Sequence, residues 1–226
     1  LRSFPGIEVE EKPGLAPQQL RCEISSCAGL VVRSATKVTR ELIEEARAMK
    51  VIGRAGAGVD NIDVPAATAK GILVMNTPGG NANAVAELTI GLMLALVREI
   101  PRADVTMKSQ SWEKKAFLGG ELAGKTLGLL GIGQVGSRVA RKAVGLDMKV
   151  LVHDPFVSDE EARKLGAQLV DLERLYRDSD FLSLHLPKTK ETAGLIDWRT
   201  FSKMKPGVYL INCARGGIVV ESDLLQ

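Results

Sequence analysis

Aromatic residues are scarce in this chain, 4% of 226, and its two histidines stand apart with no HxxxH spacing. Three cysteines, Cys22, Cys27 and Cys213, form no CxxC pair. Zinc needs clustered thiolate or imidazole ligands, so the sequence offers no metal site. An odd cysteine count without a paired framework points to a reducing, cytoplasmic compartment. The 30 Lys and Arg exceed the 27 Asp and Glu by a formal +3, spread along the chain with no basic run and no interleaved aromatics. Nucleic acid, which needs a concentrated positive face or stacking platforms, is therefore not expected as a partner. The longest apolar stretch, Leu88 to Val97, is interrupted by Thr89 and Gly91 and is too short to cross a bilayer, so no membrane partner is expected either. No Met or apolar leader opens the chain at Leu1, and Glu221 to Leu225 reads as the start of a helix just before Gln226. The sequence is accordingly expected to be a piece of a longer protein.

What the chain does have is strand-helix alternation. Apolar residues from Ala28 to Val32, a Thr39 cap, an amphipathic helix from Arg40 to Met49 and a short strand at Val51 and Ile52 make one such unit. Leu42, Ile43, Ala46 and Met49 share a face of that helix. Glycine-rich Gly53 to Gly58, another helix and a strand from Ile72 to Met75 follow, ending in the turn signal Asn76-Thr77-Pro78-Gly79-Gly80. Asn83 to Glu99 predicts a long apolar helix with Ala84, Leu88, Gly91, Leu92, Ala95 and Leu96 buried, ended or kinked by Pro101. Strands are then expected at 126–130, 149–152, 168–170, 181–184 and 208–211, with helices at 134–144, 159–165 and 172–177 between the first four. That rhythm predicts an α/β chain whose larger part is a doubly wound parallel sheet.

The glycines Gly131, Gly133 and Gly136 carry the chemistry. A bare GxGxxG occurs by chance in loops, but this one follows an apolar strand and opens a helix. In that setting Gly131 permits the tight turn, Gly133 lets a pyrophosphate approach the backbone, and Gly136 lets helix and sheet pack closely. The phosphates then meet free amides at the positive end of a helix dipole. Asp154 ends the next strand about 20 residues further on, where an acid holds the adenosine ribose. Its charge repels a 2′-phosphate, which favours NAD over NADP. The alternative for Asp154-Pro155 is a turn after the strand, and the matching context favours the ribose.

Further segments carry a family resemblance over almost the whole chain: Val32 to Thr39, Gly53 to Asp63, Gly71 to Pro78, Trp112 to Phe117, Gly131 to Gly136, His185-Leu186-Pro187 and Asn212 to Gly217. With these the sequence resembles the D-isomer-specific 2-hydroxyacid dehydrogenases. The resemblance implies a Rossmann domain over residues 79–226 beside a smaller, incomplete flavodoxin-like substrate domain over 1–78. It implies NAD as cofactor, a homodimer or homotetramer, and, from the first two segments, a phosphorylated substrate, 3-phosphoglycerate. Arg215 would be the catalytic arginine, receiving the substrate carboxylate and 2-oxygen; a planar, permanently charged fork beside two glycines suits that task. Cys213 and Ala214 would line the nicotinamide pocket, with Ala57 near its end. Gln134 and Val135 would meet the pyrophosphate, and His185 and Leu186 would lie along the cofactor, although His185 could equally be a satisfied strand-end histidine. The amides of Arg54 to Gly58 would receive a carboxylate, and Arg33, Arg54 and Lys114 are the cations for a phosphate.

Departures accompany the resemblance. The acid-base histidine and its tuning glutamate in that family come after the position of Gln226, and His153 and His185 match other positions. The chain is therefore expected to bind cofactor and turn over poorly. Its substrate domain should also lack a first strand and a C-terminal return. Ala57 stands where a Thr is usual, and Val220 where an acid is usual. Two other functions share the pattern: a glyoxylate or hydroxypyruvate reductase, and an NAD-sensing corepressor of the C-terminal-binding-protein type, for whose peptide cleft the sequence gives no sign.

Overall fold

The computed structural model describes residues 2–225; Leu1 and Gln226, the outer limits of the two expected domains, lie outside the described residues. In chain order the elements are α1 (Pro17–Ile24), β1 (Gly29–Val32), α2 (Arg40–Glu45), β2 (Val51–Arg54), α3 (Val64–Ala69), β3 (Leu73–Asn76), α4 (Ala82–Val97) and α5 (Ile100–Lys108). After a 3-10 turn at Lys114–Ala116 come β4 (Thr126–Leu130), α6 (Gly136–Val144), β5 (Lys149–His153), α7 (Asp159–Lys164), β6 (Ala167–Leu169), α8 (Leu172–Asp178), β7 (Phe181–Leu184), α9 (Trp198–Phe201), β8 (Tyr209–Asn212) and α10 (Glu221–Leu224). They form two compact units, Leu1–Asn81 and Ala82–Gln226.

The smaller unit holds a three-stranded parallel sheet, β1-β2-β3. Leu30, Val32, Ile52 and Val74 point to one face, where they join Leu42, Ile43, Ala46 and Met49 and the α3 alanines Ala66 and Ala67. Thr39 caps α2 as expected, accepting from the Leu42 amide at 3.5 Å. The helix itself stops at Glu45, short of Met49, because Ala46 leaves helical geometry and turns its amide back to Leu42 and Ile43. Lys70 stabilises that end by donating to the Ile43 and Glu44 carbonyls, at 2.7 and 2.8 Å. On the opposite sheet face Val31, Leu73 and Met75 are exposed. Parallel sheets are normally covered on both sides, so this one is half-clothed.

The larger unit is a five-stranded, all-parallel sheet in the order β6-β5-β4-β7-β8. Alternation along each strand divides its residues between two cores. Leu127, Leu129, Val150, Val152, Phe181 and Ile211 face the helices α4, α6 and α7. Leu130, Leu151, Leu182 and Leu184 face α8 and the segment around Ile196 and Ile218. The chain runs outward from β4 to β6, then returns to lay β7 on the other side of β4. That reversal opens a crevice at the carboxyl ends of β4 and β7, where doubly wound sheets bind ligands.

Two expectations are corrected here. Ala84, Leu88, Gly91, Leu92 and Leu96 of α4 are exposed and Ala95 only half-buried, while Ala82, Ala86, Thr89, Ile90, Met93 and Val97 face the core. A helix apolar all round does not reveal its inner face by periodicity. Pro101, for its part, opens a new helix rather than only ending one: Glu99 turns the chain with φ 52°, and Pro101 then sits in the first turn of α5, where its missing amide costs nothing.

Candidate functional site

In the larger unit the three glycines of the turn after β4 differ in what confines them. Gly131 has φ 89°, and a Cβ there would come 2.8 Å from the His185 carbonyl oxygen. A Cβ on Gly136 would come 2.2 Å from the Gly131 carbonyl oxygen. Gly133 meets nothing within 4 Å, so the space a side chain would fill is open. The amides of Gly133, Gln134 and Val135 donate to no backbone carbonyl among the described residues, while the Gln134 side chain is tied back to Arg138 at 3.1 Å. An open cradle of free amides ahead of α6 can receive a pyrophosphate, so these residues fit a dinucleotide.

Asp154, just past β5, braces this turn. One of its carboxylate oxygens accepts from the Ile132 amide at 2.9 Å, and the other from the Phe156 amide at 3.0 Å. Each oxygen retains a lone pair for a sugar hydroxyl. His185 lies on the opposite wall, after β7: its amide donates to the Leu130 carbonyl at 2.8 Å, and Leu186 packs beneath Gly131. The His185 ring is mostly buried, which pulls its pKa from 6.5 down to about 4. Its Nε2 lies 3.0 Å from the hydroxyl of Ser183, a fully buried residue.

A histidine kept neutral by burial stabilises the fold above pH 6.5, and that contribution is lost as pH falls from 6.5 toward 4, because the unfolded chain then binds the extra proton. Between pH 7 and pH 5 the loss due to His185 should be about 2 kcal/mol. Denaturant titrations at both pH values should show that much less acid sensitivity in His185→Gln. An unchanged pH dependence in the variant would mean that the ring is solvated.

After β8, the Asn212 side chain braces the next turn by donating to the Arg215 carbonyl at 2.9 Å and accepting from the Ala214 amide at 3.0 Å. Cys213, Ala214 and Arg215 are half-buried, and Cys213 and Ala214 pack against the two cores. The 131–136 turn, Asp154, His185-Leu186 and 213–215 thus all follow strand ends on the carboxyl edge of one sheet. Lys114, in the same unit, is exposed in the 3-10 turn.

The smaller unit gathers its own loops at the carboxyl edge of its sheet. Asn61 donates to the Arg33 and Thr36 carbonyls, at 2.9 and 2.7 Å, and Asn76 donates to the Ala57 carbonyl at 2.6 Å. The end of β3 is thereby tied to the Arg54–Gly58 loop, and the segment that follows this loop is tied to the one after β1. The Arg54 guanidinium lies over Gly56, where a Cβ would sit 1.3 Å from an Arg54 nitrogen, and Arg54 Nε is buried with no hydrogen-bond partner among the described residues. A buried, unpaired guanidinium N–H is a donor held ready for an anion. Arg33, one residue past β1, is exposed. Sequence reading passed over Asn61, Asn76, Asn212 and Ser183 as anchors; an asparagine closing a strand ahead of a glycine pair was the available signal for Asn76 and Asn212.

Residues 90–226 match the D-isomer specific 2-hydroxyacid dehydrogenase family, NAD binding domain. The chain belongs to that family, and its larger unit carries the NAD-binding fold. A D-3-phosphoglycerate dehydrogenase of Archaeoglobus fulgidus is 51% identical over 221 residues, 98% of this chain and 42% of that protein. The enzyme of the same name from Homo sapiens is 48% identical over the same shares. Among solved structures, a D-lactate dehydrogenase of Aquifex aeolicus complexed with NAD and lactic acid has a TM-score of 0.83 at 36% identity, covering 90% of this chain and 61% of that one. The chain spans less than half the length of the two curated relatives.

Proposed function

We propose that this chain supplies the NAD-binding unit, residues 79–226, and part of the substrate unit, residues 1–78, of a dehydrogenase that oxidises D-3-phosphoglycerate to 3-phosphohydroxypyruvate, the entry to L-serine synthesis. The open amide cradle at Gly133, with Asp154 across from it, carries the reading. In it, Gly131, Gly133, Gln134, Val135 and Gly136 receive the pyrophosphate, Asp154 the adenosine ribose, and Leu186, Cys213, Ala214 and Ala57 the nicotinamide end. Arg215 holds the substrate carboxylate and 2-oxygen, and its permanent charge steadies the carbonyl dipole that develops at C2. The hydride acceptor for C2 would be supplied by NAD held at these residues. The Gly58 loop amides orient the carboxylate, and Arg33, Arg54 and Lys114 take the phosphate. His153, whose Nδ1 pairs with the Val170 carbonyl at 3.0 Å, and His185, whose Nε2 pairs with Ser183, both match positions other than the family's acid-base histidine. This chain alone should therefore bind cofactor with little turnover.

Calorimetric titration tests the reading. NADH should bind at least about tenfold more tightly than NADPH, and Arg54→Ala should weaken phosphohydroxypyruvate binding to the NADH-loaded chain by roughly tenfold without affecting glyoxylate. Absence of NADH binding would overturn the cofactor assignment, and equal effects on the two acids would overturn the phosphate assignment.

The reading extends to a cytoplasmic homodimer, or a homotetramer built from it. Leu88, Leu92 and Leu96 form an exposed stripe at four-residue spacing on α4, and Ile100 at the start of α5 is exposed as well. Such a stripe suits a self-complementary two-fold contact. Sedimentation should give twice the 24.2 kDa of one chain, and Leu92→Glu should give a single chain's mass. A monomeric parent would remove the dimer from the proposal.

A further inference from the structure

Ser183 and His185 point away from each other's chemistry in sequence, yet their side chains meet. Both lie in or just past β7, on the wall of the switch-point crevice. The Ser183 hydroxyl is fully buried, and His185 Nε2, at 3.0 Å, is its one hydrogen-bond partner among the described residues. A hydroxyl carries one proton and must place it somewhere. Were Nε2–H the donor, the hydroxyl proton would have no acceptor among the described residues, at the cost of an unsatisfied buried group. Flipping the ring would set Cε1 against the hydroxyl and orphan it altogether. Only one arrangement satisfies the pair: Ser183 donates, Nε2 accepts, and a neutral ring then carries its proton on Nδ1.

That second nitrogen has a different setting. Nδ1 pairs with none of the described residues, yet Arg54 Nε is the one buried side-chain nitrogen or oxygen among them that lacks a partner. Nδ1 is therefore open to solvent. The ring to which it belongs starts beneath the glycine turn: the His185 Cβ lies 3.6 Å from where a Cβ on Gly136 would stand.

We infer that Ser183 is a positioning residue that fixes His185 as the Nδ1–H tautomer, so that a neutral imidazole presents a hydrogen-bond donor to an acceptor oxygen of the dinucleotide. The inference rests on the proposed cofactor site for its second half, while the tautomer follows from the protein alone. A neutral donor suits this wall, because it binds an oxygen without adding a charge that would vary around neutral pH. Burial keeps the ring unprotonated throughout that range.

Nitrogen-15 NMR of the imidazoles reads the tautomer directly, and with two histidines in the chain His153→Gln assigns the signals. His185 should show a protonated Nδ1 and a bare Nε2. Ser183→Ala should yield a mixture of tautomers, and Ser183→Thr, which keeps the hydroxyl, should restore the parent spectrum. On adding NADH the Nδ1 proton should shift, and Ser183→Ala should weaken NADH roughly three- to tenfold, with Ser183→Thr near the parent. A protonated Nε2 in the parent, or an unchanged tautomer in Ser183→Ala, overturns the inference. NADH binding that leaves the Nδ1 signal unmoved overturns the donor role. Failure of the parent to bind NADH removes the cofactor proposal and the donor role together, while the tautomer is still decided by the spectra without ligand.

Discussion

Gly136→Val should abolish NADH binding and destabilise the larger unit, whereas Gly133→Ala should weaken binding and leave stability unchanged. The difference lies in what each new Cβ meets. At position 136 it would lie 2.2 Å from the Gly131 carbonyl oxygen and 3.1 Å from its carbon, backbone atoms of the very turn that forms the cradle. Neither can retreat alone: the Gly131 amide is bonded to the His153 carbonyl at 3.0 Å, and the Ile132 amide to Asp154. Relief requires α6 to move off the sheet, which opens the core around Val139, Ala140 and Ala143. Overpacking of this kind costs about 1–3 kcal/mol or more. At position 133 the Cβ meets no atom within 4 Å, so urea midpoints should move by less than about 0.5 kcal/mol equivalent. The methyl instead takes space through which a pyrophosphate reaches the amides, and affinity should fall at least about tenfold. Calorimetry and urea titration on both variants separate the two effects. Undiminished NADH binding by Gly133→Ala would show that no phosphate comes close there, and the cradle would lose its assignment.

The same pair shows what the sequence made legible. Glycine spacing after an apolar strand fixes a tight turn, and the apolar runs at 126–130, 149–153 and 181–184 have no stable place except inside a two-faced parallel sheet. Those signals are local, so the carboxyl-edge placement of Gly131 and Asp154 could be read in advance, whereas Arg215 entered through the family resemblance. Contacts between distant segments could not. Nothing in the run Phe181 to His185 says that a serine and a histidine two residues apart share a proton, because alternate strand residues ordinarily share only a face. Nothing around Asp154 says that its carboxylate already holds Ile132. The orientation of α4 was hidden for a different reason: with apolar residues on every side, its inner and outer stripes have the same composition, and only packing against α6 and β8 separates them. The uncovered face of β1-β2-β3 was equally silent, since a half-clothed parallel sheet and a fully clothed one are written in the same residues.

Asp154→Asn and Asp154→Ala should both erode the preference for NADH over NADPH, by different routes. The carboxylate has two tasks in the structure, bonding the Ile132 and Phe156 amides, and each oxygen retains a lone pair. An asparagine keeps an acceptor for one amide and loses the charge. NADH should then weaken by roughly tenfold, the loss of a charged hydrogen bond, while NADPH gains because its 2′-phosphate no longer meets an anion. An alanine loses both tasks. Its NADH affinity should fall by about a hundredfold, and stability should drop by about 1–2 kcal/mol as the Ile132 amide, largely buried in the turn, is left without a partner. The asparagine variant is thus the cleaner probe of charge, and the alanine variant of the brace. If removing the charge brings no gain for NADPH in either chain, the acid does not stand at the 2′ position of the ribose. Asp154 would then be a strut of the glycine turn alone, and the choice of cofactor would have to come from elsewhere on the β5 edge.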